Sequence, residues 1–168
     1  MRQISKSKQR GISLLTVLLL LLIMTLLGVA SLRSVLMQER MASNMLDRSI
    51  AFQNAESALR EAEALIPTRP LYDGTVPGLY PLPVNNVTPR WLAAGTVWRN
   101  AADPGGLSPG APQFIIEAMA SGPLTRSCQK VVSNNPQCVA ERYRITARSQ
   151  ANDRAQVVIQ SIFAIPSP

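Results

Sequence analysis

Histidine is absent from this 168-residue chain. The commonest general base and metal ligand is therefore missing. Cysteine occurs only at Cys128 and Cys138, with no CxxC spacing, which is too little for a zinc centre. The ten acidic residues are scattered. Glu61 and Glu63 fall on different faces of a helix, and no acid-rich loop offers calcium a cage. No Gly-rich phosphate loop or nucleophile elbow occurs. These absences argue against an enzyme, and no cofactor or metal is expected. Two further gaps carry positive information. No charged residue occurs from Gly11 to Leu32, and no proline from Gly11 until Pro67, with Gly28 the one interior glycine.

The uncharged stretch follows a leader that carries Arg2, Lys6, Lys8 and Arg10 and no acid. Residues 12–32 number 21, enough at about 1.5 Å per residue to cross a roughly 30 Å hydrocarbon core. Cations on one side of the span place the N-terminus in the cytoplasm and the rest of the chain outside it. Three fates are open to such a segment. A cut after Gly11 would leave the apolar run as the new N-terminus. A signal peptidase acting after Ala30, at the small-x-small site Gly28-Val29-Ala30, would release a soluble protein. An uncut chain would be a single-span anchored protein.

Past the span the sequence stays rich in Ala, Leu, Met, Glu, Arg and Gln, all good helix formers. Apolar residues recur at helical spacing through Leu32, Leu36, Met37, Met41, Met45, Ala51, Ala55, Ala58, Ala62 and Leu65. Glu56 and Arg60 stand four apart in the favourable order. Pro67 ends the pattern and disfavours helical geometry at Ile66. The spacing predicts one helix over residues 12–65, with two helices meeting near residues 31–34 as the alternative. Unbroken continuity past Ala30 favours the cut after Gly11.

The stretch from Arg10-Gly11 to Glu63 resembles the N-terminal region of PilX-type minor pilins of type IV pili. The match rests on Leu26-Leu27-Gly28-Val29-Ala30-Ser31, on Gln38-Glu39-Arg40-Met41-Ala42-Ser43-Asn44, and on Asp47-Arg48-Ser49-Ile50-Ala51-Phe52-Gln53-Asn54-Ala55-Glu56-Ser57-Ala58-Leu59-Arg60. The resemblance implies an α+β pilin fold, in which one long N-terminal helix, transmembrane in its first half, packs on a small antiparallel sheet. It implies processing between Gly11 and Ile12 by a prepilin peptidase, with N-methylation of Ile12. The implied partners are other minor pilins, the major pilin, a tip adhesin and the inner-membrane pilus machinery. The expected division is a leader over 1–11, a membrane and filament-core half-helix over 12–32, an amphipathic half over 33–66 and a periplasmic head over 67–168.

One departure from the family pattern falls at the fifth position after the cut. Major pilins carry a Glu there, which compensates the N-terminal amine of a neighbour in the apolar filament core; this chain has Thr16. A Thr hydroxyl can bond back to its own helix but cannot neutralise an amine, and an unpaired buried charge is costly. The departure implies a subunit placed at or near the pilus tip, as in the K-type pseudopilin of type II secretion. That pseudopilin has a much larger head, which counts against a secretion role here.

Residues 67–112 concentrate proline and glycine and read as extended chain wrapped on something else, at the αβ-loop position of pilins. Trp91 and Trp98 are expected to anchor this loop to the helix. Strand-like runs follow at 114–119, 142–149 and 155–165, the last two joined as a hairpin through Gln150-Ala151-Asn152-Asp153. Arg142, Arg144 and Arg148 share one strand face near Arg154. They read as a solvated basic stripe, with capture of DNA for uptake as the alternative function, although no base-stacking aromatics lie between them. The net charge of +7 falls to +3 without the four leader cations. Cys128 and Cys138, both in the exported part, are expected to form a disulfide. In pilins such a loop marks an exposed contact surface. Priming of pilus assembly is the leading functional expectation.

Overall fold

The computed structural model describes residues 12–84, 87–106, 108, 110–125, 128, 138–151 and 154–167. The architecture is α+β: one helix, α1, spans Ile12–Leu65, and a five-stranded, mostly antiparallel sheet follows. The chain divides into two units, residues 1–44 and 45–168. In the first, every described residue is helical and exposed. Three of its hydroxyls, those of Thr16, Thr25 and Ser31, bond back along the helix. Thr25 donates to the Leu22 carbonyl at 2.8 Å and Ser31 to the Leu27 carbonyl at 3.0 Å, which satisfies these two hydroxyls within the apolar helix.

In the second unit α1 buries Ala51, Asn54, Ala55, Ala58 and Ala62, a stripe at steps of three and four. Helix geometry ends as Pro67 requires. A short 3-10 turn, Ile66–Thr68, follows, and Arg69 takes the left-handed conformation at φ 53° with its N–H on the Ile66 carbonyl. Ile66 is fully buried beside the alanines.

The sheet comprises β1 (Leu79–Tyr80), β2 (Arg99–Asn100), β3 (Gln113–Pro123), β4 (Val139–Ser149) and β5 (Val157–Pro166), in the order β1-β3-β4-β5, with β2 also on β3. β3, β4 and β5 are antiparallel neighbours; β1 joins β3 in parallel. β3 and β4 extend beyond the runs visible in the sequence, β5 begins two residues later than its run at 155–165 and ends one later, and β1 and β2 lie inside the proline-rich stretch. Asn152 and Asp153, half of the expected β4–β5 turn, lie outside the described residues.

The core unites Ala58, Ala62 and Ile66 with Leu79, Phe114, Ile116, Tyr143, Ile145 and Ala147. β3 is buried on both faces, since Ile115 and Glu117, opposite to Phe114 and Ile116, are also inaccessible. That is why 114–117 reads as a continuous run rather than an alternation. Gly78 is required where the chain enters β1. It sits at φ 80°, and a Cβ there would come within 2.5 Å of the Arg99 Cβ and 3.1 Å of the Phe114 carbonyl oxygen.

Candidate assembly surfaces

The apolar half of α1 presents Leu14, Leu15, Val17 and Leu18 through Leu22, all more than half exposed. By length and composition it is a candidate membrane span. Ile12 is its first residue, and Gly11 lies outside the described residues. The Thr16 hydroxyl donates to the Ser13 carbonyl at 2.9 Å, so it is satisfied within its own helix and offers no charge to a neighbour.

The four arginines singled out in the sequence do not form an open stripe. Arg144 reaches across to the fully buried Glu117 of β3 at 2.9 Å. Arg148 donates twice to the Gln113 Oε1, at 2.9 and 2.7 Å, and stacks 4.0 Å from the Trp98 ring. Burial lowers its guanidinium pKa. Arg142 lies over Gly122, where a Cβ would fall 2.4 Å from its Nη2, and donates to the Pro123 carbonyl at 3.2 Å. These three lean toward β3. Arg154 points elsewhere and pairs with Asp47 of α1. The solvated-stripe reading is corrected accordingly: opposite charge and ring faces were available next to three of the four side chains.

Glu117 is the pivot of a second contact that sequence reasoning missed. Arg90, in the 3-10 turn Arg90–Leu92, donates to its other oxygen at 3.2 Å and stacks 4.3 Å above the Tyr80 ring. The Tyr80 hydroxyl accepts the Val97 N–H at 2.8 Å and lies 2.9 Å from the Val97 carbonyl. These polar contacts hold the proline-rich segment on the outer face of β3. The expectation that Trp91 and Trp98 tie it to the helix is corrected: Trp98 stacks on Arg148 of β4, and Trp91 is 37% exposed. Polar groups tie the segment to the helix as well, beside the apolar packing of Tyr72, Val76 and Ala101 on the core that Ala58 and Ala62 share. Asn54 donates to the Ser108 hydroxyl at 2.9 Å and the Gly110 carbonyl at 3.1 Å, while Glu61 accepts the Ala102 N–H at 2.8 Å. Asn54 was detectable in principle, being the polar residue within the alanine stripe.

Cys128 and Cys138 are joined as a disulfide across the β3–β4 connection, with Cα atoms 5.3 Å apart. The nine residues between them lie outside the described part of the chain. In the chain-entropy picture so short a loop contributes about 2–3 kcal/mol.

Asp47 fastens the start of the last strand to α1. Its carboxylate accepts the Ala155 N–H at 2.6 Å and pairs with Arg154. Those contacts, the Ala155 N–H foremost, hold its pKa below the ordinary aspartate value. A depressed carboxylate contributes stability above its unfolded pKa and loses it as pH falls through the folded one. Asp47→Asn is therefore expected to melt lower than wild type at neutral pH and to converge on it below about pH 4. Melting curves of both chains across that range check this; parallel pH profiles would refute it.

Among the described residues no group of three or more Cys, Asp or Glu converges on a metal position. A family model described as PilX N-terminal matches residues 10–60. A second, described as Type IV pilus assembly protein PilX C-term, matches residues 51–165. No curated protein and no solved structure matches the chain.

Proposed function

The chain belongs to the PilX family of type IV pilus assembly proteins, and from that premise we propose that it is a minor pilin that primes pilus assembly at or near the tip. In this reading a prepilin peptidase cuts after Gly11 and Ile12 becomes the N-methylated terminus. The subunit then waits in the inner membrane of a Gram-negative bacterium, head in the periplasm, and joins other minor pilins, the major pilin and a tip adhesin. Residues 12–32 serve as membrane span and filament core, 33–66 as the amphipathic half-helix and 67–168 as the head. The same exposed leucines face lipid first and neighbouring helices later. Transfer between two apolar environments has little hydrophobic cost, so packing and the fit of small residues decide the contact.

Thr16 is the observation that carries the tip assignment. A subunit stacked within the shaft has neighbours above and below, and each buried terminal amine needs a counter-charge. With its hydroxyl on the Ser13 carbonyl, Thr16 supplies none. A terminal position asks for fewer such pairings. The alternative, a receptor that captures DNA, draws no support from arginines already engaged by Glu117, Gln113, Trp98 and Asp47. Reversing Arg144 or Arg148 would disturb the fold as well, so Arg142→Glu is the discriminating variant for DNA uptake.

Protein purified from its native membrane is expected to begin at N-methylated Ile12, and deletion of the chain to leave few or no surface pili. Mass and N-terminal sequence, then pilus counts, check both. A start at Ser31, an intact Met1 or undiminished piliation would overturn the reading.

A further inference from the structure

The two arginines that Glu117 holds also line a cavity. It measures about 390 Å³, at the lower end of the roughly 300–1,000 Å³ usual for small-ligand sites. The proline-rich segment supplies an apolar wall of Pro83, Val84, Val87 and Pro89, while Arg90 and Arg144 supply the charge. Glu117, fully buried, is the one carboxylate paired with them. Two guanidiniums against one carboxylate leave a surplus of one positive charge.

Donors are in surplus as well. Each oxygen of Glu117 already accepts, Oε1 from Arg90 Nε at 3.2 Å and Oε2 from Arg144 Nε at 2.9 Å. Arg144 Nη2 stands 2.9 Å from that same Oε2. A guanidinium offers five N–H donors, and neither arginine spends all of them on Glu117. Among the described residues the Nη groups of Arg90 and the Nη1 of Arg144 meet no hydrogen-bond acceptor. The Tyr80 ring covers one face of the Arg90 guanidinium, 4.3 Å away, so what Arg90 can still offer a ligand is its N–H edge. Both side chains keep about a quarter of their surface open to solvent.

We propose that this cavity binds a monocarboxylate with an apolar carbon chain. The planar N–H forks match a carboxylate in shape and charge, and the valines and prolines take the carbon chain out of water. Charge decides between the classes of ligand. A cation meets two guanidiniums and no free carboxylate. A neutral apolar molecule leaves the surplus charge and its donors unanswered. A dianion such as phosphate brings a second negative charge close to Glu117, with only one positive charge left to meet it. A single carboxylate balances the cluster. Two sources share that chemistry, a free short-chain acid and a polypeptide that ends in an apolar residue, and they can be told apart by titration.

The test uses the full chain in a non-ionic detergent, titrated with hexanoate, with acetyl-Gly-Gly-Leu, with the amide of each, and with inorganic phosphate. Trp91 follows Arg90 in the same 3-10 turn, so its fluorescence reports occupancy. At least one of the two carboxylates should saturate, and its amide should bind about tenfold more weakly, the loss expected for a charge-assisted hydrogen bond. Val87→Asp sets a carboxylate into the wall at a position 65% exposed. It should weaken the same ligand about tenfold and still melt within a few degrees of wild type. Leu71→Asp, at an exposed site outside the wall, should bind as wild type does. Saturation by hexanoate supports the site and makes a free acid its ligand. Saturation by the peptide alone supports it and makes a chain terminus the ligand. Equal affinity for acid and amide, tighter binding of phosphate, full affinity in Val87→Asp, or no saturation by either carboxylate would each overturn the proposal. None of those results bears on the assembly reading, which is tested by N-terminal processing and piliation.

Discussion

Glu117→Gln is expected to destabilise the head by about 2–4 kcal/mol, although the change is nearly isosteric and lies far from the apolar helix. Glu117 is fully buried, and its carboxylate neutralises two guanidiniums, Arg90 at 3.2 Å and Arg144 at 2.9 Å. Removing one partner of a buried ion pair typically costs about 3–5 kcal/mol, because the remaining charge is left uncompensated. Here the side chains of Arg90 and Arg144 are 29% and 25% exposed, so water recovers part of that cost and the expected loss is smaller. The internal control is Glu56→Gln. Glu56 also pairs with an arginine, Arg60, at 2.7 Å, but those side chains are 40% and 74% exposed. An exposed pair on a helix surface is worth about 0.3–0.5 kcal/mol. For a domain of this size the first variant should lose roughly 10 °C in Tm and the second about 1–2 °C. Trp91 and Trp98 both lie in the segment that Arg90 holds down, so their fluorescence reports the loss directly. Equal shifts in the two variants would show that Glu117 does not anchor that segment.

The contrast also explains which parts of the fold were legible beforehand. α1 could be read over its full length because a helix is a local object. Missing prolines, a single glycine and the 3.6-residue recurrence of alanine and leucine all act within a few residues of one another. β4 was legible for a similar reason, since Tyr143, Ile145 and Ala147 alternate with Arg142, Arg144 and Arg148 and only one set can face the core. What the arginines touch was not legible. Glu117 sits 27 residues from both Arg90 and Arg144, and Asp47 sits 107 from Arg154. No local pattern links such positions; register and the path of the proline-rich segment bring them together. β1 and β2, two residues each, were hidden for the same reason. They exist because β3 offers an edge, and their own sequences carry no strand signal. The gap at Thr16 was legible only by resemblance, since Thr in an apolar helix is otherwise unremarkable once its hydroxyl has bonded backward.

Ala58→Leu is expected to cost about 3 kcal/mol, more than most truncations on the surface of the head. The residue is fully inaccessible, lies in the buried stripe Ala51, Ala55, Ala58 and Ala62, and shares with Ala62 one core cluster with Phe114, Ile116, Tyr143 and Ile145 of the sheet. Methyl side chains across that stripe let large residues from the strands fill the interface. A leucine adds three carbons where no void awaits them, and overpacking a close-packed core costs about 1–3 kcal/mol, occasionally more. The upper end applies because the obstacles on the far side are aromatic and β-branched, with few rotamers to yield into. Intrinsic propensity cannot offset this, since leucine and alanine differ little in a helix. Ala42→Leu, on the same helix at an exposed position, separates the two effects: it should change stability by no more than about 0.5 kcal/mol. A large loss at Ala58 with none at Ala42 would identify the alanine stripe as the spacing element between helix and sheet. Comparable small effects at both would mean that the sheet has room to retreat, and that the alanines reflect helix propensity alone.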